Sequence, residues 1–262
     1  VARLWRIYRT FFTSSLVREM EFRANFIAKI LQNMAWVFFY ILIILVIYSN
    51  AKLVAGWNRG EAFVLASVVF LISAFCGAFF FSLYEVPNQV RLGTLDFVIT
   101  RPVDSQFWVS LRRFNFDRLG SLVAAIGMLT YGLATSGLPH PGPGQWLAFA
   151  AAVVGAIGLY YSFIFLLMTM AIYFVRVDNL WVLGETTLEM ARFPIDIYKP
   201  GLQTLLTFVL PLALLSTIPS RQLVIGADWR MIVFTLGYAA AALAATRWFW
   251  NFSLRRYTSA SS

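Results

Sequence analysis

Glu61-Ala-Phe-Val-Leu-Ala-Ser-Val-Val-Phe-Leu-Ile-Ser-Ala-Phe-Cys-Gly-Ala-Phe-Phe-Phe-Ser-Leu-Tyr84 carries a single charged residue, at its first position, and no proline. A stretch of this kind has no polar face to offer water, and roughly 20 apolar residues in a helix cross roughly 30 Å of hydrocarbon. Reading it as a membrane span decides the fold, because similar stretches recur at about 26–48, 119–138, 146–175, 202–218 and 231–250. In the first of these Lys29, Gln32 and Asn33 occupy the opening turns, where long side chains can snorkel to the headgroups. Pro139, Pro141 and Pro143 with Gly142 and Gly144 punctuate the turn between the third and fourth spans. The expectation is an all-α integral membrane protein: six transmembrane helices in one domain over 26–262, preceded by a separate segment at 1–25.

Composition points the same way. Of the 262 residues 60% are hydrophobic, 13% are charged and 25 are Phe, which lies outside the usage of soluble domains. The net charge of +9 does not imply nucleic acid as a partner, because the basic residues sit between apolar runs rather than on one polar face. Cys76 is the one cysteine and lies inside a span, so no disulfide framework is possible within the chain. The first 25 residues are charged throughout and lack an apolar run ending at a small-residue cleavage site, so no cleavable signal peptide is expected.

Lys and Arg accumulate on the cytoplasmic side of short loops, which orients the chain. With both termini cytoplasmic, 17 of the 21 basic residues fall inside, and only Lys52, Arg59, Arg221 and Arg230 fall outside. The inside set includes Arg176, Arg192 and Lys199, in a charged stretch taken to precede the fifth span. Within residues 1–25, Leu4, Tyr8, Phe11, Phe12 and Leu16 recur at helical spacing, while Arg3, Arg6, Arg9 and Arg18 fall largely elsewhere. That pattern describes an amphipathic helix lying in the interface among membrane lipids. Small residues one turn apart (Gly120 and Ala124, Ala151 and Gly155, Gly237 with Ala241 and Ala245) allow close helix approach, within this chain or against a second one.

A search for chemistry mostly excludes it. None of the 12 acidic residues falls near the middle of an expected span, which disfavours coupling to a proton or sodium gradient. None of Lys29, Lys52 and Lys199 follows a glycine, so there is no P-loop and any ATP must be hydrolysed by another polypeptide. His140 has no neighbouring cysteine or carboxylate, and no metal site is expected. Glu185 and Glu189 lie one turn apart, but Arg192 follows Glu189 by three, which reads as a solvated helix face. Phe70, Phe75, Phe79, Phe80 and Phe81 surround Ser73 and Gly77; they could line a path for an apolar or cationic substrate or simply face lipid.

The most distinctive polar stretch, 85–118, joins the second and third spans. It contains Arg91-Leu-Gly93-Thr-Leu95-Asp96-Phe-Val-Ile-Thr-Arg101-Pro102-Val-Asp104. Gly93 permits a bend, a short helix can follow, Pro102 stops it and Asp104 can cap the next. This element resembles the membrane subunits of ABC exporters of the type-2 permease class. Arg91, Gly93, Leu95 and Asp96 match an Arg-x-Gly-x-Leu-Asp element that leads into Arg101-Pro102-x-Asp104 in a bacterial branch of that class. Phe193-Pro194-Ile195, Leu210-Pro211-Leu212 and Ile218-Pro219-Ser220 add a second match around the fifth span.

The resemblance implies a permease in a bacterial cytoplasmic membrane. It would pair with a second, identical or homologous permease chain above two ATP-binding subunits, with ATP and magnesium held on those subunits and no cofactor on this chain. The segment Arg91 to Asp104 would then be the coupling helix, with Gly93, Leu95 and Asp96 near the ATPase groove. The path would run between the second and fifth spans, past Ser73, Phe75, Gly77, Phe79, Phe208, Pro211 and Leu214, and suit a hydrophobic or amphipathic substrate such as a lipid, drug or organic cation. A stand-alone carrier or channel and a membrane scaffold without transport are the competing readings.

Overall fold

A computed structural model of the chain describes residues 2–174 and 180–257. Arg176 and the end of the fourth expected span at Val175 lie outside the described residues. The helices are α1 (Ala2–Glu21), α2 (Arg23–Asn50), α3 (Arg59–Phe79), α4 (Val86–Arg91), α5 (Asp96–Ile99), α6 (Ser105–Leu111), α7 (Leu119–Thr135), α8 (Pro143–Thr169), α9 (Leu180–Met190), α10 (Pro200–Phe208), α11 (Leu212–Leu215), α12 (Thr217–Val224) and α13 (Trp229–Leu254). The β pairing among the described residues is one isolated bridge, Val54 to Trp57.

Five segments are long and apolar enough to cross a membrane: Arg23–Asn50, Arg59–Phe79, Phe116–Thr135, Pro143–Ile172 and Trp229–Leu254. Among them α3 is central. Val64, Leu65, Ala66 and Ile72 are fully covered, so this strongly hydrophobic stretch faces protein rather than lipid. Its start is fixed by a capping box, with Asn58 Oδ1 accepting from the Glu61 N–H at 3.0 Å and Glu61 Oε2 accepting from the Asn58 N–H at 2.7 Å. Asn58 Nδ2 also donates to the Ser136 carbonyl at 3.0 Å, so the α2–α3 and α7–α8 turns share one end of the bundle. That end is called the short-loop end here, and the opposite one, bearing residues 85–118, the charged end.

Glycine allows α3 and α7 to meet backbone to backbone. A Cβ on Gly132 would stand 2.8 Å from the Gly60 carbonyl and 2.8 Å from the Val64 nitrogen, and one on Gly60 would clash with the Ser136 backbone. Gly120 lets α7 approach Ile30 and Met34 of α2, and Gly155 lets α8 approach Thr235 of α13. The small-residue row of α13 behaves differently: Gly237 faces open space and Ala241 and Ala245 are exposed, so it joins nothing within the chain.

The fifth expected span, 202–218, is not a helix that crosses. It is broken into α10, α11 and α12, because Pro211 has no amide proton to donate and the backbone leaves the α conformation at Pro211 and again at Ser216. The ends of this segment lie at the short-loop end: Arg221 donates to Asp196 at 2.8 Å, and Asp196 accepts from the Trp57 indole at 3.0 Å. Its middle reaches along α13, where Tyr238 donates to the Phe208 carbonyl at 2.7 Å. Residues 200–224 therefore form a hairpin that enters from the short-loop end and returns to it. The chain passes from the charged end to the short-loop end earlier, through α9 and the turn to Asp196. The sequence reading had assigned those residues to a solvated stretch.

The helix α1 is separate from α2, as expected, and its contacts are with the polar segment. Phe11 packs edge-on to Trp108 with centroids 4.9 Å apart, Phe12 packs on Phe114 and Phe116, and Arg3 donates to the Pro102 carbonyl at 3.2 Å. Its other face leaves Trp5 and Val17 exposed.

Crowding at Gly132 gives a direct check on the α3–α7 seam. Gly132→Ala is expected to lower the thermal midpoint of the detergent-solubilised protein by the equivalent of about 1–3 kcal/mol of overpacking. Gly127→Ala, on the same helix with nothing within 4 Å of its Cβ, should be neutral or slightly stabilising.

Candidate functional site

Two features at the charged end carry the functional argument, a docked loop and a cavity. The loop begins with α4 and turns at Gly93, whose φ of +69° lies in the left-handed region where a side chain would be strained. Leu95 is fully covered and joins the main core, and its N–H donates to the Gln89 carbonyl at 3.2 Å. Its part is to seat the segment. Asp96 opens the four-residue α5, Pro102 lies beyond its end, and Asp104 caps α6 by accepting from the Phe107 N–H at 2.9 Å.

The capping residue is also gripped from outside the loop. Arg247 of α13 donates to Asp104 at 3.0 Å and to Gln106 at 3.1 Å, and the buried Trp250 indole donates to Ser105 at 3.0 Å. Ser110 and Gln106 both bond the Tyr161 hydroxyl of α8, at 2.8 and 3.2 Å. Glu85 receives Arg112 and Arg113, closing the loop on its own base. Partial burial works to raise the Asp104 carboxyl, but the Arg247 guanidinium and the Phe107 N–H outweigh it and hold it below the usual carboxylate value. Arg91 bonds Asn88 at 2.9 Å, and Arg101 lies over the Trp108 ring, 4.1 Å from its centroid. The outward surface left between these anchors is apolar: Phe97 is 69% exposed and Leu92 61%, with Ile99 beside them. Sequence reasoning named the polar residues here and missed these three, because nothing local distinguishes them from the buried Leu95 and Val98.

The cavity, about 380 Å³, lies among α2, α3, α7 and α9. It holds charge of both signs, from Arg118, Glu185, Glu189 and Arg192. Glu185 accepts from the Tyr84 hydroxyl at 3.3 Å. Arg192 pairs with Glu189 at 3.5 Å, as the i,i+3 spacing suggested, and its carbonyl accepts from Tyr40 at 3.2 Å. Its guanidinium lies over Phe70 and Tyr40, 4.7 and 5.4 Å from the ring centroids. These acids lie on α9, outside the five helices long and apolar enough to cross a membrane, and they line the cavity.

The expected path residues are not gathered in one place. Ser73 lines the cavity. Gly77 makes room for Arg118, whose Nε would be 3.2 Å from an added Cβ. Phe75 stacks on Phe79 and Phe79 packs edge-on to Phe114, so both brace the 114–116 turn. Phe208 and Pro211 belong to the hairpin, and Leu214 is fully covered in the core.

A family model described as ABC-2 family transporter protein matches residues 34–261, from within α2 to beyond the end of α13. The chain belongs to the ABC-2 transporter family. No curated protein and no solved structure matches it. An ABC-2 chain is the membrane permease of an ABC transporter, a multi-pass subunit distinct from the ATPase and associated with it. Membership, rather than any absence of intramembrane acids, is what sets aside the stand-alone carrier.

In this ABC-2 permease the Asp104–Arg247 pair supports α6 above the ordinary carboxylate range, and the support is lost as pH falls through the lowered pKa. Hydrogen exchange of amides 105–111 is expected to be unchanged in stability terms from pH 7 to 5, and to weaken only below about pH 4. Asp104→Asn should weaken protection at pH 7 and remove the acid-range change. Both partners are about half exposed, so the loss should stay within about 1 kcal/mol.

Proposed function

We propose that this chain is the export permease of an ATP-driven transporter in a bacterial cytoplasmic membrane, with its charged end in the cytoplasm and two ATP-binding subunits docked there. The observation that carries the reading is the apolar outward surface of Leu92, Phe97 and Ile99 on a loop otherwise clamped to α1, α8 and α13. A polar, water-facing loop has no reason to present Phe and Leu unless a protein partner covers them. Arg91, Asp96 and Arg101 flank that surface and supply its charged rim. ATP with magnesium would be held by the partner.

The directions of the long helices support six crossings. The helices α2 and α7 run away from the charged end, while α3, α8 and α13 run toward it, so the chain must return once between α8 and α13. The passage through α9 to Asp196 supplies that return. Both described ends then lie in the cytoplasm, and charge supports the orientation. Arg192 and Lys199 leave the inside set, yet among the described residues the short-loop end holds only Lys52, Arg59, Lys199, Arg221 and Arg230. A second permease chain, identical or homologous, would pair with this one; the exposed row of Gly237, Ala241 and Ala245 is one surface open to it or to lipid. The cavity between α3 and α9 supports a cargo route between the second and fifth crossings, open to amphipathic rather than purely apolar substrates.

Co-purification with the ATP-binding subunit tests the docking surface. Phe97→Glu is expected to abolish association, and Leu92→Glu to weaken it at least tenfold, with the thermal midpoint of the permease unchanged because both side chains are exposed. Retention of the ATPase by both variants would refute the surface.

A further inference from the structure

The cavity lined by Glu185 and Arg118 carries an inference about cargo, which rests on the permease reading. Buried charge is costly at this depth and persists where it is paired or used. Arg192 is used internally: nine-tenths buried, it leans on Glu189 and two aromatic rings, although its Nε has no hydrogen-bond partner. Glu185 and Arg118 are the two groups left over. Glu185 has a neutral hydroxyl, Tyr84, as its bonded neighbour, and Arg118 forms no ion pair among the described residues. Both line the same cavity as Tyr84, whose hydroxyl donates to Glu185.

Two opposite charges in one chamber, whose wall also includes the apolar Trp36, Val37 and Phe70, make a dipolar receptor with apolar surface beside it. We propose that it takes a zwitterionic amphiphile, with the cationic group against Glu185 and the anionic group on the Arg118 guanidinium. A purely cationic cargo would leave Arg118 repelling it, and a purely anionic one would meet the same penalty from Glu185. A zwitterion satisfies both, and the resting cavity stays neutral overall because its two acids balance its two arginines. Gly77 belongs to this receptor, since the arm of Arg118 lies across it.

The test uses the permease–ATPase complex in nanodiscs of phosphatidylglycerol and the saturable binding of tritiated lysophosphatidylcholine, displaced by single-chain competitors. Dodecylphosphocholine is expected to compete at concentrations about tenfold below those of dodecyltrimethylammonium and dodecyl phosphate, each of which forfeits one charge-assisted contact. Glu185→Gln should bring dodecyl phosphate level with the zwitterion, and Arg118→Gln should do the same for dodecyltrimethylammonium. Equal competition by all three against the native chain overturns the proposal without reference to any variant, as does an unchanged order in two variants that still hold the ATPase. A chain that shows the expected order but never binds an ATPase subunit would instead refute the permease reading and leave the receptor standing.

Discussion

Within hydrocarbon, every backbone amide and carbonyl must find a partner, and a chain that leaves the α-helix there survives only where protein covers it. The region after α9 depends on this constraint more than any other part of the molecule. Between Met190 and Thr217 the backbone turns, breaks at two points and reverses, and side chains meet four of its irregular groups. Tyr40 donates to the Arg192 carbonyl at 3.2 Å, Thr217 accepts from the Ile195 N–H at 3.3 Å, Gln203 donates to the Tyr198 carbonyl at 2.7 Å, and Tyr238 donates to the Phe208 carbonyl at 2.7 Å. Two of these bonds are local to the segment and two come from the long helices α2 and α13, so both helices have to be in place before this part is complete. Asp196, held by Arg221 and the Trp57 indole, then locks the irregular stretch to the short-loop end.

A crossing built this way buries polar side chains that a regular apolar helix would exclude. An arginine at the centre of a lipid-facing helix costs about 2.5–3.5 kcal/mol on insertion scales. Arg192 avoids much of that cost by facing α2 and α3, where two rings and Glu189 replace water. The charged cavity thus lies beside an irregular passage: α9 ends at Met190, and the turn that follows it is covered by α2 and α3 and tolerant of charge.

This is also why the sequence was readable in some places and not others. The span at 61–84 announced itself because hydrophobicity is the same whether a helix faces lipid or protein, and α3 turns out to face protein. Gly93, Pro102 and Asp104 were legible because a left-handed turn, a helix stop and an N-cap are local matters. The stretch from Leu180 to Lys199 was hard to place because contacts to it come from residues more than a hundred positions away: Tyr84 donates to Glu185, and Tyr40 donates to the Arg192 carbonyl and lies under its guanidinium. Window hydropathy preferred 202–218, apolar enough for a span, although the chain leaves the helix at Pro211 and again at Ser216. The outward Leu92, Phe97 and Ile99 were hidden for a related reason. Without knowing that Leu95 and Val98 turn into the core, an apolar run in a charged loop has no assigned direction.

The two functional features are mechanically joined. The outward apolar surface sits on a loop whose next helix, α6, is fastened to α8 through Tyr161 and to α13 through Trp250, while the base of the same loop holds Tyr84 and Glu85. Tyr84 is bonded to Glu185 in the cavity wall, so a force applied at Phe97 has a short route to the cavity through residues 84–95 and a second route along α13. The two routes differ in stiffness. Trp250 is fully buried, and its loss would cost about 3–5 kcal/mol as a core cavity, whereas the Tyr84–Glu185 contact is one hydrogen bond of 3.3 Å worth about 1 kcal/mol. The weak link lies at the cavity and the strong link at the scaffold. A displacement of the loop would therefore rearrange the cavity before it unseats the loop from α13, the order that the proposed docking of an ATPase at the charged end requires.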